Sequence, residues 1–301
     1  MPLFILTACN PFSKNRVKHS LAQNKIKTER LAMPVIPVAI TDTDNRRAYL
    51  ANHYWENMNV STAYSVFSKE EIEQSFANYL SLLETVPAVE ASAGLNGLMN
   101  RVVRKPALFR HFISLFEKYL YEPESPFKNE EWYITVLEYV VRSPKVDAVN
   151  KIRPQHQLQM LYKNRMGHIA QNFNYIDPAG KKGNLQSIRS KYTLLFFYDP
   201  DCEFCKATIS RLKENKLLND LQLVDKKLKV LAVYTEENSK LWLEHSGDIP
   251  AYWANVSDQR QITIHHQYDL KALPTLYLLD QDKKVLLKDV PLERIEDYFD
   301  N

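Results

Sequence analysis

The sequence is poor in glycine, cysteine and net charge. It has 6 glycines in 301 residues, whereas average usage would give about 21. Glycine is favoured at tight turns and helix ends, so its scarcity, together with 17 Tyr and 13 Phe, predicts aromatic-rich helices. The 3 cysteines are too few for a disulfide framework. The formal charge of +3 gives no reason to expect nucleic-acid binding.

Long apolar runs are missing as well. No stretch approaches the roughly 20 residues that a membrane helix needs, so nothing is expected to span a bilayer. The composition is otherwise that of a globular protein, 45% hydrophobic and 25% charged, with enough apolar residues for a sizeable core. The length predicts about two domains. We place them at residues 31–165 and 166–301, after a segment 1–30.

Apolar stripes at helical spacing predict that residues 31–165 form an all-α domain. Ser68 and Glu71 have the spacing of a capping box in front of one stripe. Prolines at positions 87, 106, 123, 126, 144 and 154 mark breaks between helices. The stripes are interpreted as core, and a groove for a peptide or partner is the alternative. His53 and His111 have no companion at metal-ligand spacing and are interpreted as ordinary side chains.

Several segments of this part resemble an uncharacterised domain that precedes thioredoxin-like domains in Bacteroidota proteins. The resemblance rests on three segments: His53-Tyr54-Trp55-Glu56-Asn57, Glu117-Lys118-Tyr119-Leu120-Tyr121 and Asn129-Glu130-Glu131. That domain carries no known activity, so the resemblance indicates where it occurs and not what it does.

The second half changes character. Residues 167–173 lead into a short strand and a turn at residues 177–180. The continuous apolar run 192–198 predicts a buried central strand, and Cys202-Glu203-Phe204-Cys205 then opens a helix. A second buried strand is predicted over residues 229–235, followed by a helix that contains Trp242. A hairpin over residues 274–288 and a closing helix over residues 292–299 complete the pattern.

A strand, a Cys-x-x-Cys segment and a helix in that order suit thiol–disulfide exchange. An unperturbed thiol, with a pKa of about 8.5, is mostly protonated at neutral pH. A helix amino terminus at Cys202 favours the reactive thiolate. Cys205 lies about one turn further along and can resolve a mixed disulfide formed at Cys202. A zinc site would need two more ligands, and His265-His266 is the sequence's one histidine pair. Metal binding, including that of a copper-handling relative, is therefore the weaker alternative, and no metal or cofactor is predicted.

Three segments of the second half resemble the TlpA/ResA branch of the thioredoxin superfamily: residues 167–173, the run from Phe196 to Cys205, and Leu273-Pro274-Thr275 with the five residues that follow. The resemblance implies a thioredoxin-like α/β fold, a central mixed sheet flanked by helices, behind the all-α domain. It implies that Cys202 is the exposed nucleophile and Cys205 the buried resolving thiol. Pro274 would be a cis-proline that faces them and turns Leu273 toward substrate; an ordinary trans proline that opens a strand is the alternative.

The resemblance further implies substrate contacts from the side chains around the pair: Tyr198, Glu203, Phe204 and Leu273. One departure is Phe196, which stands where thioredoxin has a buried aspartate that helps to move protons. Asp199, Asp201 and Glu203 disfavour a thiolate at Cys202. A less stabilised thiolate makes the reduced form less favourable, so we expect a reductant rather than an oxidant.

The amino terminus resembles the end of a bacterial lipoprotein signal, in which a Leu-Thr-Ala-Cys box precedes a lipidated cysteine, here Cys9. It departs from the pattern because 8 residues precede Cys9 and none of them is basic. A free cysteine in a disordered tail is the alternative. Residues 10–30 are rich in lysine and arginine and are interpreted as a solvated tether, which could also lie against anionic lipid. The expected location is the bacterial cell envelope, facing the periplasm and lipid-anchored through Cys9.

The sequence therefore predicts a thiol–disulfide oxidoreductase that acts on protein disulfides through Cys202 and Cys205. Its partners would be protein thiols and disulfides and an upstream electron donor, not nucleic acid. The alternative is a lipid-anchored partner- or peptide-binding protein whose cysteine pair is a structural or redox-sensing disulfide. A peroxidase of the same fold is weaker, because no Pro-x-x-x-Thr/Ser-x-x-Cys segment precedes Cys202.

Overall fold

The computed structural model describes residues 31–300, so Cys9 and the segment 1–30 lie outside the described residues. The first part of the described chain is helical, as predicted. Its helices are α1 (Thr43–His53), α2 (Ala63–Val66), α3 (Lys69–Leu83), α4 (Ala88–Val102), α5 (Pro106–Leu120), α6 (Glu130–Arg142) and α7 (Ala148–Tyr162).

Side-chain caps explain where several of these helices begin. The predicted capping box is confirmed: Ser68 Oγ accepts from the Glu71 amide, and the Glu71 carboxylate accepts from the Ser68 amide. Such reciprocal bonds satisfy amide groups that a helix start leaves without partners. Asn129 and Asp147 cap α6 and α7 in the same position. The prediction of a break at Pro154 is wrong, because Pro154 lies inside α7 and is buried there.

The helical part packs around aromatic side chains. Trp55, Phe76 and Phe112 meet edge to face near the centre of one continuous core, a favourable arrangement of ring quadrupoles. Helix α4 approaches α1 closely at Gly94, where an added Cβ would lie 2.6 Å from the Ala51 carbonyl oxygen. The interpretation of the aromatic stripes as core is confirmed by their burial.

The rest of the described chain alternates strands and helices. In chain order they are β1 (Asn174–Ile176), β2 (Lys182–Asn184), β3 (Tyr192–Tyr198), α8 (Glu203–Glu214), α9 (Lys216–Asn219), β4 (Leu228–Tyr234), α10 (Ser239–Glu244), β5 (Ala254–Ser257), α11 (Gln261–Ile264), β6 (Thr275–Leu279), β7 (Val285–Lys288) and α12 (Leu292–Asp300). The predicted central strand, second strand, hairpin and closing helix are confirmed to within one residue.

The strands form one mixed sheet of 7 strands in the order β2-β1-β5-β4-β3-β6-β7. Strands β3, β4 and β5 are parallel, and β6 runs antiparallel to β3. Alternate residues of β3 enter two separate cores, one with α8, α10 and α12 and the other with α11. This alternation follows from the two-residue repeat of a strand covered on both faces. The predicted class, a mixed sheet flanked by helices and preceded by an all-α part, is confirmed.

Candidate functional site

Cys202 lies where the central strand gives way to a helix. Strand β3 ends at Tyr198, and the Asp199 carbonyl then accepts from the Cys202 amide at 3.1 Å. Cys202 is the N-cap residue of α8, and its Sγ accepts from the Cys205 amide at 3.2 Å. Capping usually falls to Ser, Thr, Asp or Asn. Here a sulfur takes that place, facing a helix amino terminus that favours negative charge.

The two thiols differ in access to solvent. Cys202 is partly exposed, Cys205 is fully buried, and both are free. Burial raises the pKa of the Cys205 thiol well above its usual value, and its hydrogen bond with Cys202 adds to the rise. A buried thiol without a stabilising cation keeps its proton. The pair therefore combines a thiol that solvent can reach, Cys202, with a thiol that is shielded from solvent, Cys205.

A loop before β6 faces this pair. The Leu273–Pro274 peptide bond is cis, as the family resemblance implied. The Leu273 carbonyl accepts from Cys202 Sγ at 3.4 Å, and the hydroxyl of buried Thr275 donates to the Ala272 carbonyl at 2.6 Å. Leu273 and Pro274 are half-buried. The edge of the site is therefore formed by Cys202 Sγ on one side and by the main chain of this loop on the other.

Comparison with known proteins gives two matched regions. Residues 166–288 match the model of the AhpC/TSA family, and residues 8–164 match a domain of unknown function, DUF5106. A crystal structure of a thioredoxin-like protein from Bacteroides caccae is 36% identical, with a TM-score of 0.85, over 90% of this chain and 98% of that one. The chain belongs to the thioredoxin-like family.

Two shorter solved chains are also similar. The C-terminal domain of an uncharacterized protein from Bacteroides fragilis is 42% identical over 46% of this chain and 99% of that one, with a TM-score of 0.45. The thioredoxin domain of a thiol-disulfide oxidoreductase from Bacteroides vulgatus is 21% identical over 45% of this chain and 98% of that one, with a TM-score of 0.39. No curated protein matches the chain significantly.

The residues between the two cysteines lie on the outside of the thioredoxin-like domain. Phe204, in the first turn of α8, is 77% exposed. The Glu203 carboxylate is exposed and accepts from Lys206 Nζ at 2.7 Å. Together with half-buried Leu273, these side chains form an accessible surface around Cys202. A role for them in substrate contact stays a prediction.

Tyr198 requires a correction. Its side chain is 2% exposed, stacks on Phe196 and donates from its hydroxyl to Asn255 Oδ1 at 2.8 Å. Trp242 Nε1 donates to the same oxygen at 3.0 Å. Alternate residues of a strand point to the same face of the sheet, and Tyr198, like Phe196, points into the core under α8. Tyr198 therefore supports the sheet from inside and does not contact substrate.

Asn255 and Trp242 are the residues of this support that sequence reasoning missed. They come from β5 and α10, which follow β3 by more than forty residues along the chain, and no spacing rule relates them to Tyr198. Phe196 is fully buried beside them, so the position that carries thioredoxin's acid is apolar here. Asp199, directly after β3, is half-buried, and its charge is among the causes that raise the pKa of Cys205.

The described residues hold no group of three or more His, Cys, Asp or Glu side chains that could bind a metal ion. His265 and His266 sit after α11, and His266 stacks edge-on with His156 of α7. Between residues 31 and 300 no helix is long and apolar enough to cross a membrane. Cys9, predicted to be lipidated, lies outside the described residues.

Proposed function

We propose that the protein is a thiol–disulfide oxidoreductase that reduces protein disulfides, with Cys202 as nucleophile and Cys205 as resolving thiol. One observation carries the proposal. A partly exposed sulfur caps a helix beside the cis-proline loop, while a buried thiol lies one helical turn behind it. Thiol exchange needs an accessible attacking sulfur and a second sulfur in reach of the first.

The reaction would proceed in two exchanges. The Cys202 thiolate attacks one sulfur of a client disulfide, forming a mixed disulfide and releasing one client thiolate, which takes up a proton. Cys205 then loses its proton and attacks Cys202 Sγ. The second client sulfur leaves as a thiol, and the Cys202–Cys205 disulfide forms. Two electrons pass to the client, and a dithiol donor must return two electrons to the cysteine pair.

The burial of Cys205 fits the order of these steps. A thiol whose pKa is raised by burial does not compete with Cys202 for the client disulfide. It becomes the attacking group only when the mixed disulfide brings a sulfur electrophile against it. Because Phe196 supplies no carboxylate, we assign the acceptance of the Cys205 proton to water or to Asp199, the half-buried acid at the end of β3.

We base the direction of electron flow on the charges near Cys202. Negative charge beside a thiol pair disfavours the thiolate and hence the reduced form, and three acids, Asp199, Asp201 and Glu203, lie within three residues of Cys202. Lys206 pairs with Glu203 at 2.7 Å, which moderates one of the three charges. We therefore assign the pair a reducing potential, with protein disulfides as substrates and an upstream dithiol as the electron donor.

The proposed location is the bacterial cell envelope, with the protein facing the periplasm. This part of the proposal rests on the Leu-Thr-Ala-Cys box at residues 6–9, where a lipid on Cys9 would tie the chain to a membrane surface. Metabolic labelling with a palmitate analogue tests it: label on the wild type and none on Cys9→Ala is the expected result. Equal labelling of both, or of neither, contradicts it.

The central test is a trapping experiment with the full chain. In a Cys205→Ser variant the mixed disulfide on Cys202 cannot be resolved, so client proteins should stay attached and be released by dithiothreitol. The matched control is the Cys202→Ser, Cys205→Ser double variant, which should trap none. Equal yields from both variants would contradict the exchange mechanism and favour a binding protein. Equilibration of the wild type with glutathione then measures the direction, and a potential near that of DsbA, about −120 mV, would refute the reductant assignment.

A further inference from the structure

Six charged side chains are collected where the helical part meets the thioredoxin-like domain. Three are basic and three acidic, and each is less than a fifth exposed. We call them the interface charge cluster: Lys128, Glu130, Asp269, Lys271, Lys288 and Asp289. Buried charges are costly unless they are paired and hydrogen-bonded, so the contacts within such a cluster hold its members in defined positions.

Two members of the cluster, Asp269 and Lys271, lie in the segment before the cis-proline and bind Tyr121. The Tyr121 hydroxyl, at the end of α5, donates to Asp269 Oδ2 at 2.7 Å. Lys271 Nζ donates to the Tyr121 carbonyl at 2.9 Å and lies 3.5 Å from the centroid of the Tyr121 ring. A single residue of the helical part therefore binds two residues of the segment through its ring, its hydroxyl and its main chain.

The other members of the cluster anchor the edge strand β7. Lys128 Nζ donates to the Asp289 carboxylate at 2.5 Å and to its carbonyl at 2.7 Å. Lys288, with a side chain 3% exposed, pairs with Glu130 at 2.8 Å and donates to the Lys163 carbonyl at 3.1 Å. Since β7 pairs with β6, which starts directly after Pro274, the strand on the far side of the loop is fixed as well.

The segment that Tyr121 binds leads directly to the cysteine pair. Lys271 is two residues before Leu273, whose carbonyl accepts from Cys202 Sγ at 3.4 Å. Residues 269–274 belong to no helix or strand, so regular backbone pairing does not fix their position. The contacts of Asp269 and Lys271 with Tyr121 supply a restraint that the loop would otherwise lack.

From this geometry we infer that the helical domain positions the cis-proline loop of the redox site, and that Tyr121 and Lys271 are the positioning residues through which it does so. The DUF5106 region thus acts as a scaffold that keeps the Leu273 carbonyl against Cys202. The role of that carbonyl in catalysis rests on the proposed function, whereas the positioning itself does not. Loosening either residue should free the loop without changing the cysteines.

The experiment uses the full chain with four substitutions. Tyr121→Phe removes the hydroxyl bond to Asp269 and keeps the ring, and Lys271→Met removes the charge and the bond to Tyr121. Lys271→Arg keeps a cation over the ring and should restore wild-type behaviour. Lys118→Met is the matched control: Lys118 also pairs with a carboxylate, that of Glu73, and lies over the ring of Tyr119, but on a different surface of α5.

Hydrogen–deuterium exchange over residues 268–276 is the first measurement. We expect exchange to be at least about threefold faster in Tyr121→Phe and Lys271→Met, because the loop opens more easily when a contact that couples the two parts of the chain is removed. The rate at which iodoacetamide alkylates Cys202, followed by mass spectrometry of its peptide, is the second. A thiol donates to the Leu273 carbonyl but a thiolate cannot, so release of the loop should raise that rate by about threefold.

Two outcomes would overturn the inference. One is a lower Tm with unchanged exchange and alkylation, which would make the cluster a stability element only; the other is a failure of Lys271→Arg to restore either rate. If Lys271→Met does not fold, Tyr121→Phe, which loses a single hydroxyl, decides the matter. Neither measurement needs a client, so absence of disulfide reduction by the wild type would refute the proposed function and leave the positioning role to be decided by these rates.

Discussion

The amide of Cys205 donates to the sulfur of Cys202 at 3.2 Å. This single contact makes the proposed attacking sulfur the cap of the helix that carries the proposed resolving thiol. The local stability of α8 and the chemistry of the pair are therefore linked, because the atom that satisfies the helix start is the atom that would react. The Leu273 carbonyl approaches the same sulfur from the opposite loop, so Cys202 has a structural partner on each side.

The capping contact separates the structural role of Cys202 from its chemical role. Cys202→Ser keeps an N-cap acceptor, so its free energy of unfolding should lie within about 0.5 kcal/mol of that of the wild type, whereas Cys202→Ala should lose about 1 kcal/mol. Both variants should lack disulfide reductase activity. Urea unfolding and an insulin reduction assay measure the two properties. Equal stability of the Ser and Ala variants would contradict the capping role.

Burial of Cys205 predicts a stability that depends on pH in the reduced protein. Its folded-state pKa is raised above that of a free thiol, so the folded state keeps a proton that the unfolded state releases. The contribution of this protonated thiol to the free energy of unfolding is complete below about pH 8. It declines as pH rises through the pKa of the unfolded thiol, with a limiting slope of about 1.4 kcal/mol per pH unit.

The measurement is urea unfolding of the reduced protein between about pH 7.5 and pH 9.5, a range that spans the pKa of about 8.5 of an unfolded thiol. Cys205→Ala is the control and should show a shallower decline, since buried tyrosines contribute equally to both proteins. The oxidised protein, which has no thiol at this position, should resemble the control. Parallel curves for wild type and Cys205→Ala would refute the effect of burial on this thiol.

The redox motif was readable from the sequence because its parts are local. A buried strand, a Cys-x-x-Cys segment and a helix follow one another within about twenty residues, and Leu273-Pro274 announces the facing loop. Tyr198 was misassigned because the sequence does not state which side of a central strand each residue faces. That side is set by Asn255 and Trp242, which reach Tyr198 only in the folded sheet.

The helical part was less readable for a different reason. Helix α4 buries Leu95, Leu98, Met99 and Val102 at helical spacing, but its close approach to α1 is made at Gly94, which an apolar stripe does not reveal. Pro154 was expected to end a helix but lies inside α7, where tertiary packing outweighs the lost hydrogen bond. The interface charge cluster joins Tyr121 to Lys271 across 150 residues, and charged residues at such a separation look like ordinary surface in the sequence.

The close approach at Gly94 predicts opposite effects for two glycines of the same helix. In Gly94→Ala the new Cβ would lie 2.6 Å from the Ala51 carbonyl oxygen and from the Tyr79 hydroxyl, so α1 must shift, at a cost of about 1–3 kcal/mol. In Gly97→Ala nothing lies within 4 Å, and the higher helix propensity of alanine should stabilise the protein by about 0.5–1 kcal/mol. Thermal unfolding measures both. A Gly94→Ala protein as stable as Gly97→Ala would contradict the packing described for α1 and α4.

The acidic surroundings of Cys202 predict the direction of one further change. Asp201→Asn and Glu203→Gln remove negative charge beside the sulfur, which should favour the thiolate, stabilise the reduced pair and raise the reduction potential. Exposed charges are screened, so each shift should be about 5–20 mV and should shrink in 1 M salt. Glu203→Gln should have the smaller effect because Lys206 already pairs with Glu203. Asp282→Asn, in the turn between β6 and β7 at the other end of the sheet, is the control and should leave the potential unchanged. A fall in potential for Asp201→Asn would mean that local charge does not set the direction of electron flow.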